Sequence, residues 1–201
     1  QISALLDAAG IPGAREAVAH NEKELAAAAA RVGFPLVMKV VGPVHKSDVG
    51  GVRLNICDEQ TLHEVFREMI SIKDTTAILL QSQLTGRELF IGAKREPLFG
   101  HTIVCGLGGI FVEVLKDIST GLSPLSATEA ARMVRNLKGY GLIRGARGQE
   151  GVNEDLFIQA ICRVSALCRC APEIAEMDLN PLLGTARAVV AVDARIRISR
   201  T

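Results

Sequence analysis

Glu176, Asp178 and Asn180 recur at period two, separated by the apolar Met177 and Leu179. In a strand that spacing puts the three polar side chains on one face. A second run, Val190-Ala191-Val192-Asp193-Ala194, carries another acid and follows the turn signal Gly184-Thr185-Ala186-Arg187. A turn centred on Thr185-Ala186 sets Asp178 directly opposite Asp193. Like charges there are destabilising. A hard divalent cation held by carboxylate and amide oxygens would offset the repulsion, and Mg²⁺ takes one or two protein carboxylates plus phosphates. A solvent-facing acidic stripe is the alternative that the pattern leaves open.

Lys39 stands inside the apolar run Leu36-Val37-Met38-Lys39-Val40-Val41. A lysine there either meets an anion, from protein or ligand, or reaches solvent from an edge strand. The loop Pro43 to Gly51 follows at once. Gly50 and Gly51 allow a close backbone approach and offer N–H donors to phosphate. The spacing of Gly, Lys and Ser is not that of a Walker A loop. His45, beside Lys46 and Asp48, is a candidate acid, base or nucleophile, or an ordinary loop histidine. A second glycine cluster, Gly106-Leu107-Gly108-Gly109, precedes Glu113 and Asp117. Two glycine loops, a strand lysine and a carboxylate hairpin together point to a phosphate ligand with Mg²⁺.

The elements that must position these residues are legible in part. Ser3 opens a short helix stopped by Gly10, and a strand is expected over 14–19. Asn21 caps a helix that runs through the alanines at 26–30 to Gly33. Strands follow at 36–41 and 52–56, and Asp58 caps a helix over 59–71. Ala77 to Leu84 and Glu88 to Lys94 flank Thr85-Gly86-Arg87, which reads as a hairpin turn. Strands at 101–105 and 111–114 come next. Ser126 with Glu129 forms a capping box for a helix over 127–137. The glycine-rich 139–151 reads as a loop. A helix over 154–170 sets Phe157, Ile161, Val164 and Cys168 on one face. Strands at 174–180 and 188–194 close the chain. Helices alternating with hairpin-linked strands make the fold class α+β.

The 201 residues are 48% hydrophobic and 22% charged, which suits one globular domain or two small lobes. A net charge of +1, no Trp and only seven aromatics argue against nucleic acid as a partner. No apolar run is long enough to span a membrane. The five cysteines include no C-x-x-C pair, so we read them as small buried hydrophobes in a reducing, cytoplasmic compartment. The opening Gln1-Ile2-Ser3-Ala4 is neither a signal peptide nor an initiator Met, and we expect a longer parent polypeptide.

Four ordered blocks carry a resemblance. They are Phe34 to Val40 with His45 to Val52; Arg87 to Gly92; Phe99-Gly100 with Gly106 to Glu113; and Glu176 to Leu182 with Val192 to Arg195. Together they resemble the ATP-grasp module of ADP-forming acyl-CoA (acetyl-CoA) synthetases, related to succinyl-CoA synthetase β subunits. The resemblance spans about Ser3 to Ile198. It implies an ATP-grasp fold with ATP or ADP between two α+β lobes, expected at 1–80 and 81–201. It implies that Lys39 reaches the phosphates and that Gln81, Ser82, Gln83 and Leu84 line the adenine. Gly50, Gly51, Gly108 and Gly109 approach the nucleotide. Glu88 and Asp178 stand near the reacting groups, Asn180 and Asp193 hold Mg²⁺, and His45 carries phosphate transiently. The reaction implied is acyl-CoA + ADP + phosphate in exchange with acid + CoA + ATP. The CoA-binding and ligase domains, or an α subunit, lie elsewhere.

The chain departs from the family pattern at Gln83-Leu84, where Met is common, and at Ala146, where an aromatic is common before Arg147-Gly148. These leave adenine against guanine open. A second reading is the synthetase-like regulatory region of a GNAT-fused protein-lysine acetyltransferase. A third is a structural module that kept its motifs by descent.

Overall fold

The computed structural model describes residues 2–42, 50–109, 116–146, 148 and 150–199. The chain divides into a smaller unit, Ala14–Leu84, and a larger one made of Gln1–Gly13 with Thr85–Thr201. This differs from lobes at 1–80 and 81–201. The N-terminal helix α1 (Ile2–Ala8) belongs to the larger unit because Leu6 and Ile11 are buried in that unit's core.

The smaller unit has four antiparallel strands in the order β1-β4-β2-β3. They are β1 (Glu16–Ala19), β2 (Leu36–Val41), β3 (Val52–Ile56) and β4 (Ala77–Ser82). Period-two alternation sends Leu36, Met38 and Val40 into a core shared with helices α2 (Glu22–Val32) and α3 (Glu59–Ile70). Within α2, Ala28 and Ala29 are buried, and their small side chains let the helix lie close to the sheet. Asn21 and Asp58 cap the two helices through their side-chain oxygens, as their types predict. The same alternation turns Val37 and Lys39 to the opposite face of the sheet.

The larger unit holds a sheet in the order β10-β8-β5-β6-β7, with β9 paired to β8. Its strands are β5 (Arg87–Glu96), β6 (Gly100–Leu107), β7 (Ile118–Leu122), β8 (Ile174–Gly184), β9 (Val189–Ala191) and β10 (Ala194–Ile198). Helices α4 (Ala127–Arg135) and α6 (Glu154–Cys170) belong to its core. Phe157, Ile161, Val164 and Cys168 of α6 are fully buried in that core with Leu89, Ile91 and Leu179. The expected single face of this helix is therefore the packed one. The Ser126–Glu129 capping box is present with both of its bonds.

Three expectations are corrected. Thr85-Gly86-Arg87 is not a hairpin turn. β4 pairs with β1 and β2, whereas β5 pairs with β6 and β8, so the segment passes from one unit to the other. Gly86 is there for close approach, since a Cβ on it would stand 2.8 Å from the Gly184 carbonyl oxygen. The segment 139–151 is not all loop but contains the short helix α5 (Tyr140–Arg144). Its entry is held by the buried Asp117, which accepts from the Lys138 and Gly139 N–H groups at 2.8 and 2.7 Å. The cysteines are not uniformly buried: Cys105 and Cys168 are, whereas Cys57 and Cys170 are exposed. The strand expected at 111–114 lies outside the described residues.

Candidate active site

The carboxylate strand is as the alternation requires. On β8, Met177 and Leu179 are buried, and Glu176, Asp178 and Asn180 face out. The register differs from the expected one. Partner numbers sum to 373, not 371, as in Leu182 with Ala191 and Asp178 with Arg195. The turn lies one residue further along because Thr185 closes it. The Thr185 N–H donates to the Ala188 carbonyl at 2.8 Å, and its hydroxyl accepts from the Arg187 and Ala188 N–H groups. A shift of two in the sum keeps every side chain on its face and changes only its partner.

The consequences are specific. Asp178 does not oppose Asp193, so the like-charge argument for a cation falls. Asn180 takes that place, with its N–H donating to the Asp193 carbonyl at 3.2 Å. Glu176 is held bidentately by Arg197, at 2.7 and 3.1 Å, and the guanidinium lowers its carboxyl. Asp178 is different. Partial desolvation raises its carboxyl, and the Asp193 carboxylate adds to this against the pull of Arg195. The residue stays accessible to water.

Asn180 and Asp193 are neighbours on adjacent chain segments and offer hard oxygen donors. This fits a Mg²⁺ ion that completes its shell with phosphate oxygens and water. Among the described residues no group of three or more His, Cys, Asp or Glu forms a closed metal cage.

Glu88 lies on β5 at the second glycine loop. Gly108 donates its N–H to the Glu88 carbonyl at 2.8 Å. A Cβ on Gly108 would stand 3.0 Å from the Glu88 Cβ, and one on Gly109 would fall on the Glu88 carboxylate. Gly109 also has φ +61°, which favours glycine. The loop is therefore glycine-rich in order to seat Glu88. Asp117, singled out in the sequence with Glu113, is occupied by two backbone donors. With burial as the main cause, its carboxylate helps push the Cys105 thiol up to about 12. Glu113 lies outside the described residues.

In the smaller unit the Lys39 ammonium donates to Gln81 Oε1 at 2.8 Å. Gln81 is buried, and its Nε2 donates to Glu16 Oε2 at 3.5 Å, a long bond. An amide suits this place because it offers an acceptor to a lysine and a donor to a carboxylate. Gly51 accepts from the Val40 N–H at 2.9 Å, and Gly50 accepts from Arg53 at 2.7 Å. These bonds tie the two glycines to the β2–β3 ladder, and Gly50 has φ +66°. His45 lies outside the described residues. Ser82 and Gln83 are anchored through their N–H groups, to the Arg15 and Pro35 carbonyls at 2.9 and 3.1 Å. Leu84 is exposed. Sequence reasoning missed Glu16, Asn55 and Arg195. Only the period-two pattern of β1 could have flagged Glu16, by placing it on the outward face.

Comparison with known proteins gives the family. The family model for the ATP-grasp domain matches residues 1–198. The chain is 39% identical over 197 residues to the β subunit of acetate–CoA ligase (ADP-forming) I of Pyrococcus furiosus, covering 93% of this chain and 85% of that one. It is 41% identical over 202 residues to acetate–CoA ligase (ADP-forming) I of Archaeoglobus fulgidus, covering 96% of this chain but only 29% of that longer one. A solved structure of acetyl-coenzyme A synthetase 1 from Ca. Korarchaeum cryptofilum superposes with a TM-score of 0.86 at 37% identity, over 96% of this chain and 88% of that one. That structure holds coenzyme A and Mg-AMPPCP, with a phosphohistidine segment pointing towards its nucleotide-binding site. On the family match and these identities together, the chain belongs to the ATP-grasp domain family.

Proposed function

We propose that this chain is the nucleotide-binding part of an ADP-forming acyl-CoA ligase, which interconverts acyl-CoA + ADP + phosphate with acid + CoA + ATP. One observation carries the reading: the Asn180 N–H donates to the Asp193 carbonyl, which sets the two residues side by side, with Asp178 two residues along β8. The likeness to ligase subunits of similar length supports it and favours it over the acetyltransferase-fused reading.

Each residue then has a role. Lys39, steadied by Gln81, meets the nucleotide phosphates. Gln81 to Leu84 lines the base. Glu88, seated by Gly108 and Gly109, stands near the nucleotide. Asn180 and Asp193 hold Mg²⁺, which when bound withdraws charge from phosphate oxygens. Asp178 stands near the reacting groups. Gly50 and Gly51 follow the segment of sequence that carries His45. An imidazole nitrogen of His45 attacks the γ-phosphorus of ATP. A P–N bond forms as the P–O bond to ADP breaks, and the reverse step returns the phosphoryl group to ADP. The remaining chemistry belongs to CoA-binding and ligase domains, fused or on an α subunit. Five free cysteines support a reducing, cytoplasmic setting.

Calorimetric titration with ADP, with and without Mg²⁺, tests the reading. We expect specific binding that Mg²⁺ tightens. It would raise stability by about 2.7 kcal/mol at a hundredfold excess over Kd. Absence of binding in both conditions contradicts the proposal.

A further inference from the structure

Asn55 occupies an exposed position on β3. Its φ is +59°, in the left-handed region, and the β2–β3 register shifts between Leu36 and Met38 beside it. Glycine meets that backbone demand best, with Asn and Asp next. What Asn adds over glycine is a side-chain amide, and here the amide is used. The Gln83 Nε2 donates to Asn55 Oδ1 at 2.6 Å, and the Asn55 N–H donates to Gln83 Oε1, also at 2.6 Å. The two residues close a ring of two short hydrogen bonds across 28 positions of sequence.

The ring fixes one particular stretch of chain. Ser82 is held to the Arg15 carbonyl ahead of β1, and Gln83 is held to the Pro35 carbonyl ahead of β2. The Asn55 ring adds an anchor on β3. Ser82 and Gln83 are thus tied towards all three other strands of the sheet, immediately before Leu84, where the smaller unit ends. A flexible glutamine at this place would have to be ordered whenever a ligand packed against the stretch. The ring orders it beforehand.

We infer that Asn55 is a positioning residue for the nucleobase, acting through Gln83 on the Gln81–Leu84 stretch. The inference rests on the proposed nucleotide-binding role of that stretch. It predicts that loss of the Asn55 side chain weakens nucleotide binding while the fold persists, because Asn55 is exposed and its removal leaves no buried hole.

The test uses the full chain and Mg-ADP. Asn55→Gly keeps the positive φ and the backbone donor but removes Oδ1. Asn55→Asp keeps an acceptor at the same place. We expect Asn55→Gly to raise the Kd for Mg-ADP roughly three- to tenfold, the scale of one side chain left to be ordered on binding. We expect Asn55→Asp to stay within about twofold of the parent, since it restores the bond to Gln83. In a Gln83→Met background, Asn55→Gly should have no further effect. Equal Mg-ADP affinity of Asn55→Gly and parent overturns the positioning role while leaving nucleotide binding intact. So does an equal loss in Asn55→Asp. A parent that binds no nucleotide overturns the underlying reading and the inference with it.

Discussion

The two units hold their functional groups by different means. In the smaller unit, side-chain amides do the holding: Gln81 receives Lys39, and Gln83 is locked to Asn55. In the larger unit, backbone geometry dominates. The Asn180 N–H donates to the Asp193 carbonyl and sets the two side by side, and a pair of glycines seats Glu88. Neither unit leaves placement to long, solvated side chains. The Gln81 amide accepts from the Lys39 ammonium at 2.8 Å and so fixes where a cation meant for phosphate stands. A backbone hydrogen bond sets Asn180 beside Asp193 without an ion pair between their side chains, which suits residues meant for a metal. On the same strand, Glu176 shows the contrast, because Arg197 consumes its charge.

If this contrast is right, side-chain truncations in the smaller unit act mainly on ligand affinity, and turn changes in the larger unit act mainly on stability. The largest effect is expected from Lys39→Met. It removes a charge-assisted contact of about 1.5–3 kcal/mol, roughly ten- to hundredfold in nucleotide affinity by calorimetry. Gln81→Leu keeps the lysine but removes the Gln81 acceptor from its head, and should weaken affinity by roughly tenfold or less. Thr185→Val removes the hydroxyl that closes the β8–β9 turn. It should lower unfolding free energy by about 1 kcal/mol in a denaturant titration while leaving the register intact. A nucleotide affinity change larger than the stability change would break the comparison.

The smallest effect concerns pH. Burial raises the Glu154 carboxyl, but the Tyr140 hydroxyl and Arg135 together outweigh it and hold the group below the ordinary carboxylate value. A depressed carboxylate contributes stability that is present above its unfolded pKa and lost as pH falls through the folded one. The stability gap between parent and Glu154→Gln should thus be widest at neutral pH, and no more than about 1 kcal/mol for a solvent-screened pair. It should narrow as pH falls through the folded-state carboxylate range. A gap that widens in acid would refute the assignment.

Much of this was legible in the sequence, for physical reasons. Asn21, Asp58 and Ser126 announce their helices because capping is local chemistry. Phe157, Ile161, Val164 and Cys168 announce a buried face because helical period is local too. The face shared by Asp178 and Asn180 was also legible, since parity does not depend on where a turn closes; the strand expected over 188–194 is instead broken at Val192-Asp193, so Asp193 lies between β9 and β10. Their pairing was not, because it depends on which residue closes the turn, and the Thr185 hydroxyl decides that. Thr85-Gly86 imitates a hairpin because a glycine for close approach and a glycine for a turn look alike in sequence. Asp117 supporting α5, and Asn55 meeting Gln83, are long-range bonds that no local pattern encodes.

The central claim is that Asn180 and Asp193 form the metal platform of a working nucleotide site. The most direct measurement is ADP calorimetry on Asp193→Ala and Glu176→Ala, each with and without Mg²⁺. The account predicts that Asp193→Ala stays folded and loses the Mg²⁺-dependent tightening, while Glu176→Ala keeps it. A Mg²⁺ response in Asp193→Ala equal to that of the parent would contradict it.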